Sequence, residues 1–344
     1  MGEPLKQPVL LDVQNLNINF LLKNGKVAKV VDDVSFSIYK GETVALVGES
    51  GSGKSITSLA IMGLLAVPPG EIAEGKIVLN GKNLLEYKQK ELSKVRGNEI
   101  SMIFQEPMTS LDPVFTIGNQ LIEGIRRHQK ISKKEAWHKA VLMLQEVGIA
   151  NAEKVITEYP HQLSGGMRQR IMIAIAMANN PHLLIADEPT TALDVTVQAQ
   201  ILKLMLKMKE EHGSAILFIT HDMSVVAETA NRVMVMYAGQ IVEEAPVREL
   251  FLNPKHPYTV ALLNTMPSLE MDVERLPSIP GSVPPAYALP DGCRFAERCQ
   301  FAMDTCRQIQ PKVRLIKEEH KVRCHLFAEE GASVYVKQGS ITPN

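Results

Sequence analysis

The stretch that most constrains this chain is residues 43–58, TVALVGESGSGKSITS. Its apolar run at 44–47 predicts a buried strand, its glycines predict a tight loop, and the apolar residues after Lys54-Ser55 predict a helix. A strand, a glycine-rich loop and a helix start form the context that the pattern G-x-x-x-x-G-K-[ST] requires. Backbone N–H groups of such a loop converge on a polyphosphate, so we expect a nucleotide site here rather than an ordinary glycine turn before a helix.

Each position of this loop has an expected role. Lys54 would bring a positive charge to the β- and γ-phosphates, and the Ser55 hydroxyl would ligate Mg²⁺. The remaining phosphate contacts are expected from the residues that precede Lys54, which are Gly48, Glu49, Ser50, Gly51, Ser52 and Gly53.

Composition narrows the class of protein. The chain has 344 residues, of which 45% are apolar and 22% charged, as expected for a globular protein of one large domain with an extension or of two domains. A net charge of -1 with scattered Lys and Arg gives no reason to expect a nucleic-acid partner. The longest apolar runs, 59–67 and 171–178, are too short to span a membrane, and the first residues do not resemble a secretory signal. We therefore expect a cytoplasmic protein, held at a membrane surface at most through a partner.

Segments typical of strands alternate with segments typical of helices. Apolar or alternating runs predict strands at 9–20, 30–39, 75–79, 99–105, 183–188 and 215–220, the first of them at a sheet edge. Helices are predicted mainly within 117–148, where Ser132 and Glu135 have capping-box spacing, and at 195–212. This order predicts an α/β fold with a mostly parallel sheet that binds ligands at the carboxyl ends of its strands.

Acidic residues follow the apolar run at 183–186. Asp187 would support a Mg²⁺ ion bridging the β- and γ-phosphates, and Glu188 could act as general base for the attacking water. Taken alone, such a pair is commonly two acids in a solvated turn. The preceding strand and the Pro189-Thr190 stop favour the functional interpretation.

Two further polar residues follow predicted strands. Gln105 could touch both Mg²⁺ and water, and His221 could hydrogen-bond a γ-phosphate. An isolated glutamine before a loop is usually a surface residue, and an isolated histidine is more often a helix cap or a core residue.

A second anion-binding turn is predicted at Ser164-Gly165-Gly166, where a helix begins and Arg168 and Arg170 follow. One nucleotide needs only one such turn in each chain. The second one makes sense if it faces a nucleotide held by another subunit.

Together these motifs resemble the ATPase subunit of ABC transporters over about residues 9–250. The matching segments, in the family's order and spacing, are GESGSGKS, FQEP, LSGGMRQR, LLIADEPT, TALD and ITHD. The LSGG segment is the most specific, since other phosphate-loop proteins lack it. The resemblance implies a P-loop NTPase of the ABC-ATPase type: a RecA-like core with a mostly parallel sheet in residues 1–252, and a helical subdomain at about 106–165.

The resemblance also implies how two such subunits would share ATP. Lys54, Ser55, Gln105, Asp187, Glu188 and His221 would serve this chain's own site, with Glu188, His221 and Gln105 catalytic and with Ser55, Gln105 and Asp187 around Mg²⁺. Ser164, Gly165 and Gly166 would complete the site of a second ATPase chain, and Asp194 would lie across the seam. Phe20 matches an aromatic position that stacks on adenine, although a lone strand-end Phe is more often a core residue. Segments 108–113 and 117–158 would contact membrane subunits.

The residues after 252 differ in composition from the rest of the chain. Prolines are frequent at 253–290, which predicts an extended, wrapped segment in an irregular extension, 253–344. All four cysteines follow, and a cytosolic setting disfavours disulfides, so a metal centre is the leading interpretation and small buried apolar residues the alternative. The C-x5-C, C-x6-C and C-x17-C spacings differ from zinc ribbons but suit an iron–sulfur cluster, whose ligands would be Cys293, Cys299, Cys306 and Cys324.

The HPYT and GSVPP segments with this tail resemble the C-terminal extension of oligopeptide and dipeptide importer ATPases. The likeness implies a [4Fe-4S] cluster, peptide cargo with nickel chelates as the main relative, and a position on the cytoplasmic face of the inner membrane. Implied partners are a second, different ATPase chain, two membrane-spanning permeases and, indirectly, an extracytoplasmic peptide-binding protein. A soluble ABC ATPase of DNA repair or the ribosome is the alternative, but the single cassette and the lack of long heptad runs disfavour it. The tail could also be a redox-sensing module that gates the ATPase.

Overall fold

The computed structural model describes residues 8–105, 110–190, 194–266 and 278–328. The strands are β1 (Val9–Leu21), β2 (Val27–Tyr39), β3 (Thr43–Val47), β4 (Gly70–Leu79), β5 (Lys82–Asn83), β6 (Ile100–Ile103), β7 (Leu183–Asp187), β8 (Ala215–Thr220), β9 (Arg232–Tyr237), β10 (Gln240–Pro246), β11 (Val313–Lys317) and β12 (His320–Arg323). The helices are α1 (Lys54–Ile61), α2 (Gln89–Val95), α3 (Ile117–His128), α4 (Lys133–Glu146), α5 (Ala152–Val155), α6 (Gly165–Met177), α7 (Val195–His212), α8 (Met223–Thr229), α9 (Val247–Leu252), α10 (Pro257–Asn264) and α11 (Asp304–Gln308). Single 3-10 turns lie at Leu84–Glu86, Pro160–Gln162, Ala296–Arg298 and His325–Phe327.

The chain divides into two compact units. The first takes the described residues of Met1–Asp12, Ser37–Thr43 and Val78–Ile219, and the second those of Val13–Phe36, Val44–Ile77 and Thr220–Asn344. Within the described ranges, no helix combines the length and the apolar character needed to cross a membrane.

The first unit is built on the parallel strands β6, β7 and β8. Leu183 of β7 pairs with Ile100 on one side and with Ala215 on the other. Every residue of β7 and β8 is buried, which explains their continuous apolar sequences, since a parallel strand is covered on both faces. Helices α3, α4 and α6 pack against one another. The predicted capping box at the start of α4 is confirmed, with Ser132 and Glu135 each bonding the other's backbone N–H.

The second unit carries a mixed sheet that includes the C-terminal segment. Val44–Val47 of β3 run parallel to β9. A tight turn with positive φ at Ala238 and Gly239 then reverses the chain into the antiparallel strand β10. Strand β12 pairs with β10, and β11 pairs with β12, so the tail continues this sheet.

Three expectations about elements are wrong. β1 is not an edge strand but lies between β2 and β4, because its period-2 pattern reports one solvent face, which an inner strand can also have. Residues 253–290 are not extended throughout, since α10 forms there with Pro257 in its first turn, where proline favours a helix. The strand predicted at 99–105 ends at Ile103, so Gln105 lies in the following loop.

A buried carboxylate anchors the tail to β10. Glu243 is 1% exposed and accepts hydrogen bonds from the backbone N–H groups of Lys255 (2.7 Å) and His256 (2.8 Å). The His320 ring of β12 lies 2.8 Å from the same carboxylate. Arg294 adds contacts with Asp32 and with the Ala238 carbonyl. The tail is thus part of the packed second unit.

His256 is held neutral by this packing. It is 1% exposed, and its Nδ1 accepts a hydrogen bond from the Tyr258 N–H at 3.0 Å, which caps α10. Burial lowers the pKa of His256 from 6.5 to about 4, although the Glu243 charge opposes the shift.

This burial predicts an acid-sensitive fold. Between pH 6.5 and about 4 the unfolded chain holds a proton at His256 that the folded chain lacks. The free energy of unfolding is therefore highest above pH 6.5 and decreases as the pH falls. This group contributes up to about 3 kcal/mol of the decrease. His256→Asn keeps a capping acceptor but does not titrate. Urea unfolding from pH 7.5 to 4.5 should therefore show a shallower loss of stability for the variant than for the wild type. Parallel curves would contradict the assignment.

Candidate nucleotide-binding site

The phosphate loop leaves β3 through a backbone contact that only glycine allows. Gly48 has φ 151°, and a Cβ there would lie 2.1 Å from the Met236 carbonyl oxygen of β9. Gly53, with φ 105°, precedes α1, and its Cβ would lie 2.8 Å from the Val30 carbonyl oxygen. Gly48 and Gly53 are therefore required by close backbone approaches as well as by φ.

Lys54 folds back over its own loop. Its ammonium donates to the Gly48 carbonyl (2.8 Å), the Glu49 carbonyl (3.0 Å) and the Ser52 hydroxyl (3.4 Å), and the residue is 6% exposed. A buried ammonium attracts phosphate strongly, because charge–charge contacts exceed charge–dipole ones in such surroundings. Ser55 follows in the first turn of α1, half-buried, where a hydroxyl could ligate Mg²⁺.

Glu49 of the loop is bound by residues that the sequence did not predict. Its backbone N–H donates to the Tyr258 hydroxyl at 2.9 Å, and its carboxylate accepts from Arg298 at 3.0 Å. Burial, reinforced by the Glu49 charge, raises the pKa of Tyr258, so this hydroxyl stays neutral. Tyr258 belongs to the HPYT segment that the sequence singled out, but nothing in the spacing linked it to residue 49.

In the first unit, three predicted site residues lie close to the end of β7. Asp187 is the last residue of β7 and is 4% exposed. Glu188 has φ 47°, a conformation that costs a non-glycine residue about 1–2 kcal/mol, and its N–H bonds the Ile219 carbonyl at 2.9 Å. The Gln105 amide donates to the Glu188 carboxylate at 3.0 Å. The arrangement presents a carboxylate whose direction is set by both backbone and side-chain contacts.

Two other predicted residues, both of the second unit, lie at strand ends. His221 directly follows β8 and is exposed, as expected for a side chain that reaches a ligand. Phe20 lies next to the end of β1 and is half-buried, which fits either adenine stacking or a core role. Both belong to the second unit, with the phosphate loop.

The Ser-Gly-Gly turn opens α6 as predicted. The Ser164 hydroxyl accepts the Met167 N–H at 3.3 Å, and Gly165 and Gly166 form the first turn. The guanidinium of Arg170, which follows this turn, donates to the Val147 carbonyl at 2.8 Å and to Gln200 at 3.1 Å.

Asp194 has a local structural role at the start of α7. Its carboxylate caps the helix by accepting the Val197 N–H at 2.9 Å. The rest of the TALD segment, 191–193, and positions 108–109 of the expected membrane-subunit contact lie outside the described residues.

One buried residue near the signature was missed by the sequence analysis. Gln169 of α6 is fully buried, and its amide donates to the Pro189 carbonyl directly after Glu188. A glutamine inside the signature helix gives no sequence signal of this contact.

The four cysteines are free thiols gathered in the second unit. The Cys293 N–H bonds the Cys306 carbonyl at 2.7 Å. Burial, with the other thiols adding to it, raises the pKa of Cys293 to about 11 and that of Cys324 to about 12. Burial likewise raises the pKa of Cys299. Nevertheless, among the residues described here no three His, Cys, Asp or Glu side chains are grouped closely enough to hold a metal ion.

The close approach at Gly48 predicts a specific intolerance. Gly48→Ala should lose nucleotide binding and about 3 kcal/mol or more of stability, because its Cβ would overlap a backbone oxygen that cannot move aside. Gly165→Ala is the matched control for stability, since a Cβ there meets nothing within 4 Å. Thermal unfolding and binding of a fluorescent ATP analogue measure both effects. Wild-type stability and affinity in Gly48→Ala would contradict the assignment.

Comparisons with known proteins identify the family of this chain. The ABC transporter family profile matches residues 31–191, and the profile "Oligopeptide/dipeptide transporter, C-terminal region" matches residues 242–306. The oligopeptide transport ATP-binding protein AppD of Bacillus subtilis is 56% identical, over 94% of this chain and 98% of its own length. The dipeptide transport ATP-binding protein DppD of Lactococcus lactis is 54% identical, over 86% of this chain and 84% of its own length.

A comparison with solved structures also identifies an ATP-binding cassette. A dimeric ATP-binding cassette in a post-hydrolysis state, bound to ADP and Pi, aligns with a TM-score of 0.62 and 29% identity, over 70% of this chain and 99% of that one. The phosphate loop, the acidic strand end and the signature turn all lie in the cassette region. The chain therefore belongs to the ABC transporter family of ATP-binding proteins, with the C-terminal region found in oligopeptide and dipeptide transporters.

Proposed function

We propose that this chain is the ATP-hydrolysing subunit of an ABC importer that takes up di- and oligopeptides. The observation that carries the proposal is the hydrogen bond from the Gln105 amide to the Glu188 carboxylate, because it orients a carboxylate that would act on water. The relatives named for oligopeptide and dipeptide transport support the cargo class, which the binding protein and the permeases would select. The proposed cassette is 1–252, with a helical subdomain at about 106–165 and the extension at 253–344.

The chemistry is hydrolysis of the γ-phosphate. The loop from Gly48 to Gly53 and Lys54 would bind the phosphates, and Phe20 would stack on adenine. Ser55, Gln105 and Asp187 would hold Mg²⁺, which supplies neutralisation of phosphate charge when bound. Glu188 would accept a proton from the attacking water as the water oxygen bonds to the γ-phosphorus and the bond from that phosphorus to the β–γ bridging oxygen breaks, which gives ADP and phosphate, with His221 hydrogen-bonding the γ-phosphate.

A second ATPase chain would complete the site. Gly165 and Gly166 begin a 13-residue helix whose first N–H groups are suited to a γ-phosphate, and a Cβ at Gly165 meets nothing within 4 Å. Ser164 would join them, and Asp194 would lie at the seam. The dimeric form of the related cassette supports this arrangement, with a different ATPase chain as the partner here.

The partners on the other side would be two permeases at the cytoplasmic face of the inner membrane, which receive peptide from an extracytoplasmic binding protein. A groove of about 550 Å³ on the first unit supports this contact, and it is lined by Phe115, Asn119, Ile122, Glu123, Arg126 and Arg127. Phe115 is 51% exposed and Val114 is 70% exposed. Exposed apolar side chains beside cationic ones are typical of a protein contact surface.

The tail would hold a [4Fe-4S] cluster through Cys293, Cys299, Cys306 and Cys324, although the described side chains are not grouped closely enough to hold a single metal ion as they stand. Thiolates are the ligands that such clusters require, and backbone N–H groups already bond three of the sulfurs: Phe295 and Ala296 at Cys293, Phe301 at Cys299, and Leu326 at Cys324. The raised pKa values favour thiols in the absence of metal, and binding would release protons.

The catalytic proposal is tested by Glu188→Gln. Removing the base should lower ATP turnover about 100-fold or more while ATP binding is retained, and labelled-peptide uptake by the complete transporter should stop. Glu211→Gln on the exposed face of α7 is the matched control and should turn over normally. Full turnover by Glu188→Gln would exclude the proposed base, and ATPase activity without any peptide uptake by the complete wild-type transporter would exclude the cargo class.

The cluster proposal has its own test. Protein purified without oxygen should contain about four iron atoms per chain and absorb broadly in the visible range, and Cys299→Ser should lose most of both. Iron-free, colourless wild-type protein would overturn the proposal without affecting the ATPase assignment. If Cys299→Ser folds normally but has altered ATP turnover, the cluster gates the ATPase.

A further inference from the structure

We propose that Arg298 and Tyr258, two residues of the C-terminal extension, position the phosphate-binding loop by holding Glu49 from two directions. The inference rests on the proposed role of this loop in ATP binding. It adds positioning residues to that site from a segment outside the ATP-binding motifs.

Arg298 makes a forked ion pair with Glu49. One guanidinium nitrogen lies 3.0 Å and 3.2 Å from the two carboxylate oxygens, and the second lies 3.2 Å from Oε2. The Arg298 side chain is 6% exposed and that of Glu49 is 29% exposed. A bidentate pair fixes both distance and direction, which a single contact from a lysine would not do.

The guanidinium is itself immobilised by its surroundings. It donates to the carbonyls of Pro280 (2.8 Å) and Ile279 (3.2 Å) and to the Tyr237 hydroxyl (3.2 Å). It also lies over the rings of Tyr237 (5.7 Å) and Phe295 (5.9 Å). Because these contacts hold Arg298 independently of Glu49, the tail is the fixed partner and the loop is the part that is held.

Tyr258 holds the backbone of the same residue. Its hydroxyl accepts the Glu49 N–H at 2.9 Å, and the residue is fully buried. Its ring centroid lies 4.6 Å from that of Tyr237 and 5.4 Å from that of Phe295. The hydroxyl therefore cannot follow the loop if the loop moves.

Glu49 passes this constraint to the phosphate-binding groups. Its carbonyl accepts from Lys54 Nζ at 3.0 Å and from the Ser52 N–H at 3.2 Å. A displaced Glu49 would shift the ammonium and the turn that precedes α1. We therefore expect the contacts from the tail to act on nucleotide affinity.

The test measures ATP affinity and turnover separately. Arg298→Ala should weaken binding of a fluorescent ATP analogue about tenfold while the turnover at saturating ATP stays within about twofold. Arg298→Lys should restore part of the affinity, because it keeps the charge but not the fork. The double variant Arg298→Ala, Glu49→Gln should bind ATP no more weakly than the single variant with the lower affinity, since both substitutions remove the same ion pair.

The controls separate this inference from the proposed function. Arg307→Ala, an exposed arginine of the same tail, should bind ATP like the wild type. If Lys54→Ala binds ATP normally, the proposed site is wrong; if Lys54→Ala loses binding but folded Arg298→Ala does not, only the present inference is wrong. Should Arg298→Ala fail to fold, Tyr258→Phe decides, because it removes one hydroxyl and should weaken binding about threefold. Unchanged affinity in folded Tyr258→Phe would then overturn the inference.

Discussion

At the end of β3, the backbone of Gly48 passes so close to the Met236 carbonyl of β9 that a β-carbon would come within 2.1 Å of the oxygen. The parallel pairing of Val47 with Val235 brings the two chains to this point. The loop must turn there, and the turn places its next residue, Glu49, in contact with Tyr258 and Arg298 of the tail. Strand β9 also leads into β10, on which the tail is anchored through Glu243. One strand thus fixes both sides of the loop.

The two groups proposed to act on ATP are each held by a neutral protein partner in their own unit. Lys54 is held by carbonyl oxygens, and the Glu188 carboxylate accepts from the Gln105 amide. Lys54 is 6% exposed, so the free-energy cost of removing its charge from water is already included in the folded state. Phosphate would replace weaker dipoles around a charge that is already oriented, which is how preorganised sites act without large rearrangement.

Sequence patterns predicted the features whose cause is local. Strands β7 and β8 are continuous apolar runs because both their faces are buried, and the Ser132–Glu135 capping box involves residues one turn apart. Contacts between distant residues leave no such pattern. The Arg298–Glu49 pair spans 249 positions, and the bond from Arg170 to the Val147 carbonyl, 23 positions away, also has no signal in the sequence.

The ion pair at Glu49 differs from surface pairs, which commonly contribute under about 1 kcal/mol because two long side chains must be ordered to form them. Here Arg298 is already ordered by two carbonyls and a tyrosine hydroxyl, so little further entropy is lost when Glu49 joins it. Breaking the pair would leave a nearly buried cation with fewer partners. Glu49 lies in the segment 31–191 that matches the ABC transporter profile, and Arg298 lies in the segment 242–306 that matches the C-terminal profile. This ion pair therefore joins the two segments, and the C-terminal segment helps to hold the phosphate loop.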